Sequence, residues 1–147
     1  MSIFTGEYEC KLDAKGRLVL PSRIKSRLPE TSGNQVVLMR GMEPCLVLYS
    51  LVEYRKIYSR IAALNEFNEE YRKLQRNFFR RVAEIELDSA GRLLVPKMMM
   101  KYASLEKEVI VVGMGNRVEI WNTKVYDEYL LDDNEAFSKL AEKHLNE

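Results

Sequence analysis

The chain has 147 residues, a near-balanced net charge of +1 and a hydrophobic fraction of 46%, which fits one ordinary globular body or two small units sharing a core. No apolar run approaches the roughly 20 residues that cross a bilayer, and Met1–Glu7 has neither a charged lead nor an apolar signal core, so a cytosolic protein without a membrane role is expected. With only Cys10, Cys45 and His144 to offer, the chain falls short of a four-ligand zinc site and shows no Cys–His or Ser–His relay; no metal, cofactor or catalytic residue is expected.

In chain order, Glu7–Cys10 and Arg17–Leu20 are strand-like, separated by Asp13-Ala14-Lys15-Gly16. Aspartate opening a type I turn, with glycine fourth, predicts a hairpin closed by a G1 bulge. The carboxylate accepts backbone N–H groups, and the glycine takes the left-handed conformation. Pro21 is predicted at the first helical position, with Ile24 and Leu28 facing in and Arg23, Lys25 and Arg27 facing out. Gln35–Met39 follows as a buried strand, then a turn at Gly41-Met42 and the strand Leu46–Tyr49.

From Leu51 to Arg81 an apolar stripe, Ile57, Ile61, Leu64, Phe67, then Tyr71, Leu74 and Phe78, predicts a helix or helical pair whose stripe is core or subunit interface. Asp88-Ser89-Ala90-Gly91-Arg92-Leu93-Leu94-Val95-Pro96 then repeats the first motif 75 residues on. Met99 and Ala103 take the inward helical places, Glu108–Val112 is a second buried strand, and Gly113-Met114 a second glycine turn. Val118 and Ile120 alternate with Arg117, Glu119 and Trp121, the period of a strand with one buried face. This second block answers Leu46–Tyr49 at an offset of 72, as Tyr126 answers Tyr54.

A duplication fixes the architecture before any single residue does. Each unit has only roughly 50 residues, a marginal size for a core, so the halves are expected to pack as one α+β body. The expected division is a first repeat at 1–52, a helical connector at 53–82, a second repeat at 83–126 and an acidic helical tail at 127–147.

The twin arginines have two readings. Asp13 and Asp88 could simply brace Arg17 and Arg92 by ion pairing. Alternatively the aspartates, with Gly16 and Gly91, set the turns while the arginines meet phosphates or the O6 and N7 atoms of guanine. Duplication and the basic residues nearby favour the second, with Arg17, Arg92, Lys15 and Arg23 as DNA contacts. The basic residues, including the stretch Arg72, Lys73, Arg76, Arg80 and Arg81, are then expected to gather on one face.

The pattern D-x-x-G-R-L-x-x-P in two copies, with the leading Met-Ser-Ile-Phe-Thr-Gly-Glu-Tyr, closely resembles the MraZ family over nearly the whole chain. That resemblance implies tandem, pseudo-symmetric swapped-hairpin β-barrel units of the AbrB/SpoVT type with flanking helices. It also implies a bacterial transcriptional regulator of the division and cell-wall gene cluster, an autorepressor at the nucleoid. The expected partners are double-stranded DNA, as short G-containing operator repeats, and the protein itself, as a ring-shaped homo-oligomer. A second possibility is an antitoxin-like module that uses the AbrB fold and a terminal extension to hold a protein.

Overall fold

The computed structural model describes residues 3–30 and 33–145, so Met1 and Ser2 of the leading motif and the last two residues of the tail lie outside it. The elements run β1 (Glu7–Lys11), β2 (Arg17–Val19), α1 (Ser22–Ser26), β3 (Gln35–Arg40), β4 (Leu46–Ser50), α2 (Leu51–Ala62) and α3 (Glu69–Phe79). They continue β5 (Val82–Glu86), β6 (Arg92–Leu94), α4 (Lys97–Tyr102), β7 (Glu108–Gly113), β8 (Val118–Asn122), α5 (Thr123–Asp127) and α6 (Asn134–Leu145).

The fold is α+β, and its halves exchange strands. β1 pairs with β7, β2 with β6 and β3 with β5, all antiparallel, each joining one repeat to the other. The result is a six-stranded sheet in the order β1-β7-β8-β4-β3-β5, together with a separate β2–β6 ribbon. The expected barrel is not closed: β1 and β5 are free edges of the larger sheet. The expected hairpin is also corrected. The turn forms, with a single Leu12–Leu18 bridge beside it, but its two strands then leave for different sheets.

The register reveals a pseudo-two-fold axis. Leu18 pairs with Leu93, its own equivalent, and Val47 pairs with Glu119, again its equivalent. The axis therefore passes through the ribbon centre and the sheet centre. Leu18 and Leu93 are fully buried, which stabilises the fold by about 1.5–3 kcal/mol each. They join Ile24 of α1 and Met99 of α4 over one sheet face, against Val36, Leu38, Leu46, Leu48, Val109, Val111, Val118 and Ile120.

The other sheet face is covered by helices. Tyr54 of α2 packs on Val37 and Met39, and Tyr126 of α5 on Val47, Ile110 and Trp121. β8 is therefore buried on both faces, not one; Glu119 is tolerated there because the Trp121 indole N–H donates to its carboxylate at 2.9 Å. Ser50 and Asn122, equivalent in the repeat, start α2 and α5 as N-caps, accepting from Glu53 N at 3.3 Å and Lys124 N at 2.8 Å. Pro21 and Pro96 sit one place earlier than predicted, at the caps of α1 and α4, where their carbonyls accept the first helical bonds from Lys25 and Met100.

The connector is a helical pair. Gln75 closes it by donating to the Ile61 and Leu64 carbonyls at 3.1 and 3.2 Å, at the C-terminal end of α2. Its apolar stripe is only partly core: Phe78 packs near Tyr54, whereas α3 contains no buried residue.

Neither Gly41 nor Gly113 has a positive φ, and at both a Cβ would meet close neighbours. Gly113 has ordinary backbone angles, but a Cβ there would lie 2.6 Å from Thr5 Cα. Here the N-terminal segment runs antiparallel alongside, held by Phe4 N donating to Gly115 O and Gly115 N donating to Phe4 O, both at 2.8 Å. Gly113→Ala should push that backbone away and cost about 1–3 kcal/mol. A thermal melt of this variant within a degree of wild type would contradict the close approach.

Candidate nucleic-acid interface

Each turn is built around one carboxylate. Asp13 Oδ1 accepts Lys15 N at 2.9 Å and Arg17 N at 2.8 Å, while Oδ2 accepts Arg17 Nε at 2.7 Å. Asp88 does the same, with Ala90 N at 2.9 Å, Arg92 N at 2.8 Å and Arg92 Nε at 2.6 Å. The turns close through Gly16 N to Asp13 O at 3.0 Å and Gly91 N to Asp88 O at 2.9 Å. Gly16 and Gly91 have φ of +82° and +75°, a region that penalises a Cβ.

Bracing and presenting coexist in this geometry. The aspartate takes only Nε of each guanidinium, and no partner for the Nη groups is found among the described residues. The Nη1–Nη2 edge remains, a pair of parallel donors suited to two acceptors on one plane. With Nε tethered, less rotamer freedom is left to lose on binding.

The strand exchange brings the two arginines together. Across the ribbon Arg17 faces Leu94 and Val19 faces Arg92, with Leu18 and Leu93 turned into the core. The outer face is thus a quartet with arginines at one diagonal and exposed Val19 and Leu94 at the other. Strand spacing and rise put the arginine Cα atoms about 8 Å apart.

Lys15 is exposed at the tip of the first turn. Its equivalent in the second turn is Ala90, yet that turn also has a lysine, because Lys25 of α1 lies against Gly91; a Cβ there would be 2.8 Å from Lys25 Cε. The position equivalent to Lys25 is Met100, whose sulfur lies over Gly16. Each turn therefore has one lysine, from its own tip or from the opposite half. Sequence reasoning passed over Lys25 as a site residue, since only the exchange places α1 beside the second turn.

Arg23 is not part of this constellation. It lines a cleft with Ile3, Phe4, Thr5, Tyr8 and Arg27, beside the N-terminal segment. Nor do the basic residues share one face: α3, with Arg72, Lys73 and Arg76, packs through Phe78 on the sheet face opposite the ribbon. Cys45 is fully buried, and burial pushes its thiol up to about 12, the behaviour of a small hydrophobe. No helix among the described residues is long and apolar enough to cross a membrane.

The Arg17 backbone N–H, followed by its guanidinium and the Lys15 N–H, holds the Asp13 carboxyl below its ordinary value against opposing desolvation. Asp88 is lowered in the same way by Arg92 and Ala90. Because the folded pKa is depressed, the turn's contribution is present above the ordinary aspartate value of about 3.9 and lost as pH falls through the folded value. An NMR titration of the two carboxyl carbons should give midpoints below about 3.9. Midpoints at or above it would contradict the hydrogen-bond geometry.

The chain matches one family model twice, over residues 3–77 and 78–147, the family being described as "MraZ protein, putative antitoxin-like". A protein of Cytophaga hutchinsonii named transcriptional regulator MraZ is 60% identical over 145 residues, covering 99% of this chain and 96% of its own. One of the same name from Acetivibrio thermocellus is 36% identical over 141 residues, covering 96% of each.

Proposed function

The chain belongs to the MraZ family, and from that premise we propose that it is a transcriptional regulator that binds double-stranded DNA through the β2–β6 ribbon. The observation that carries this is the pair of aspartate-tethered arginines on one outer face. A two-stranded ribbon fits the major groove, where paired donors meet guanine O6 and N7. Their spacing of about 8 Å corresponds to about two base-pair steps, the scale of a short G-containing repeat. Lys15 and Lys25 flank the ribbon as phosphate contacts; Arg23, set apart in its cleft, is the weakest of the assigned contacts.

One ribbon reaches only the lower part of the range a specific site needs. Two bidentate arginines supply about 2–6 kcal/mol of discrimination, whereas specific sites are typically favoured by about 4–10 kcal/mol over random DNA. Several ribbons held in a ring would bind successive operator repeats with a high effective concentration. In this reading residues 1–52 and 83–126 present the ribbon, while 53–82 and 127–147 serve assembly. The protein would be an autorepressor of the division and cell-wall cluster, working at the nucleoid on repeats upstream of its own operon. In this reading the repeated aspartates serve the turns, each accepting N–H donors on both oxygens.

The antitoxin-like alternative draws on α6, which contains no buried residue and could hold a partner protein. A tightly co-purifying heteromeric partner would favour it.

Arg17→Ala should remove about 1–3 kcal/mol of discrimination per ribbon, compounded over the assembly, while leaving the melting temperature within a few degrees. Arg92→Ala should match it, and Arg17→Lys should rescue little, lacking the planar fork. Asp13→Ala should lower both stability and affinity, because it frees the turn and the guanidinium together. Lys15→Ala and Lys25→Ala should weaken all duplexes alike and flatten the salt dependence by about one unit of slope each. The measurement is fluorescence anisotropy on operator and scrambled duplexes with parallel melts. Wild-type operator affinity in Arg17→Ala, with a much lower melting temperature, would reduce the arginine to a brace.

A further inference from the structure

Two helices of this molecule, α6 and α3, contain no buried residue, and their chemistries match. α6 has twelve residues, none of them buried. Phe137 and Leu140, three residues apart, share one side of it, with Leu145 at its end; they are 64%, 49% and 81% exposed. A lone helix of that length is marginal in water even with favourable composition, so α6 needs an apolar surface to lie on. The segment leading into and through it is acidic, with Asp127, Glu128, Asp132, Asp133, Glu135 and Glu142.

The α2–α3 hairpin is the counterpart. α3 too contains no buried residue; Phe67 beside it is 85% exposed and Leu74 on it 50%. Beyond its acidic first turn it carries Arg72, Lys73 and Arg76, followed by Arg80. Among the described residues none of these cations forms an ion pair with a carboxylate.

Duplication explains why the two surfaces sit apart. α2 and α5 start at equivalent caps, Ser50 and Asn122, on the two sides of the pseudo-two-fold axis. After those caps the copies diverge, the first continuing as a basic apolar hairpin and the second as an acidic apolar tail. An otherwise symmetric body thereby acquires unlike, complementary ends. We propose that α6 and the acidic segment before it dock on the α2–α3 hairpin of a second copy, head to tail. This rests on the ring reading above and assigns the contact that builds the ring. Each copy offers one tail and one hairpin, so the contacts continue from copy to copy until the rotation closes.

The test uses full-length Leu74→Asp and Phe137→Asp, both at exposed positions, with light scattering for mass and circular dichroism for fold. Wild type should give a multiple of the 17.2 kDa chain. Either variant alone should fall to a monomer that keeps its sheet signal and loses no more helical signal than the undocked α6 accounts for. Mixed in equal amounts they should form a pair, because one intact tail meets one intact hairpin, and the pair cannot grow. Single variants that keep the wild-type mass, or a mixture that remains monomeric, overturn the docking and leave the ring to another surface. A monomeric wild type overturns both readings, and a wild type held only with a foreign protein does the same in favour of the antitoxin-like alternative. If an aspartate variant loses its fold, Arg76→Glu and Glu142→Arg carry the test instead. Each alone should weaken assembly and their mixture should recover it; no recovery overturns the docking.

Discussion

Backbone pairing between the repeats is the constraint from which the rest follows. β1, β2 and β3 each find a partner in the other half, so neither repeat can complete its sheet alone. A unit of roughly 50 residues has little core to spend on independence, and here its hydrogen bonds as well as its apolar surface are committed across the axis. The same commitment puts Leu18 against Leu93, and that buried pair turns Arg17 and Arg92 outward on one ribbon. The site is a by-product of the way the halves hold each other.

Local chemistry was legible from residues alone. The aspartate and glycine of each turn, the inward positions of α1 and α4, and the buried β3 and β7 all follow from spacing and turn chemistry, because these preferences act within a few residues. Partner choice was not. A turn of this kind looks like a closed hairpin, and nothing within it records that its strands part company two residues later. Glu119 looks solvent-facing in sequence and is buried because Trp121 satisfies it. Lys25 looks like any exposed helical cation until the opposite turn is placed under it. The stripe on α3 announces a face that wants covering, but not what covers it.

The twin sites are alike where geometry demands it and different elsewhere. Asp, Gly and Arg recur at both turns with bond lengths agreeing to about a tenth of an ångström, because the tether fails if any is changed. The lysines are free to come from different places, since a phosphate contact needs charge within reach rather than a fixed direction. Duplicated positions that a hydrogen bond does not pin, such as Lys25 and Met100, have drifted.

The exchange also orders events in time. Glu7 lies opposite Val112, so the first strand of the chain waits for a partner more than a hundred residues downstream. Loops of that length must be closed before those contacts repay it, which makes folding slow relative to helical proteins of the same size. During synthesis the first repeat emerges with β1 and β2 unpaired, β3 paired only with β4, and their apolar faces uncovered. Only once β8 has left the ribosome can both sheets form, so the nascent chain is most exposed to aggregation until its last quarter is made.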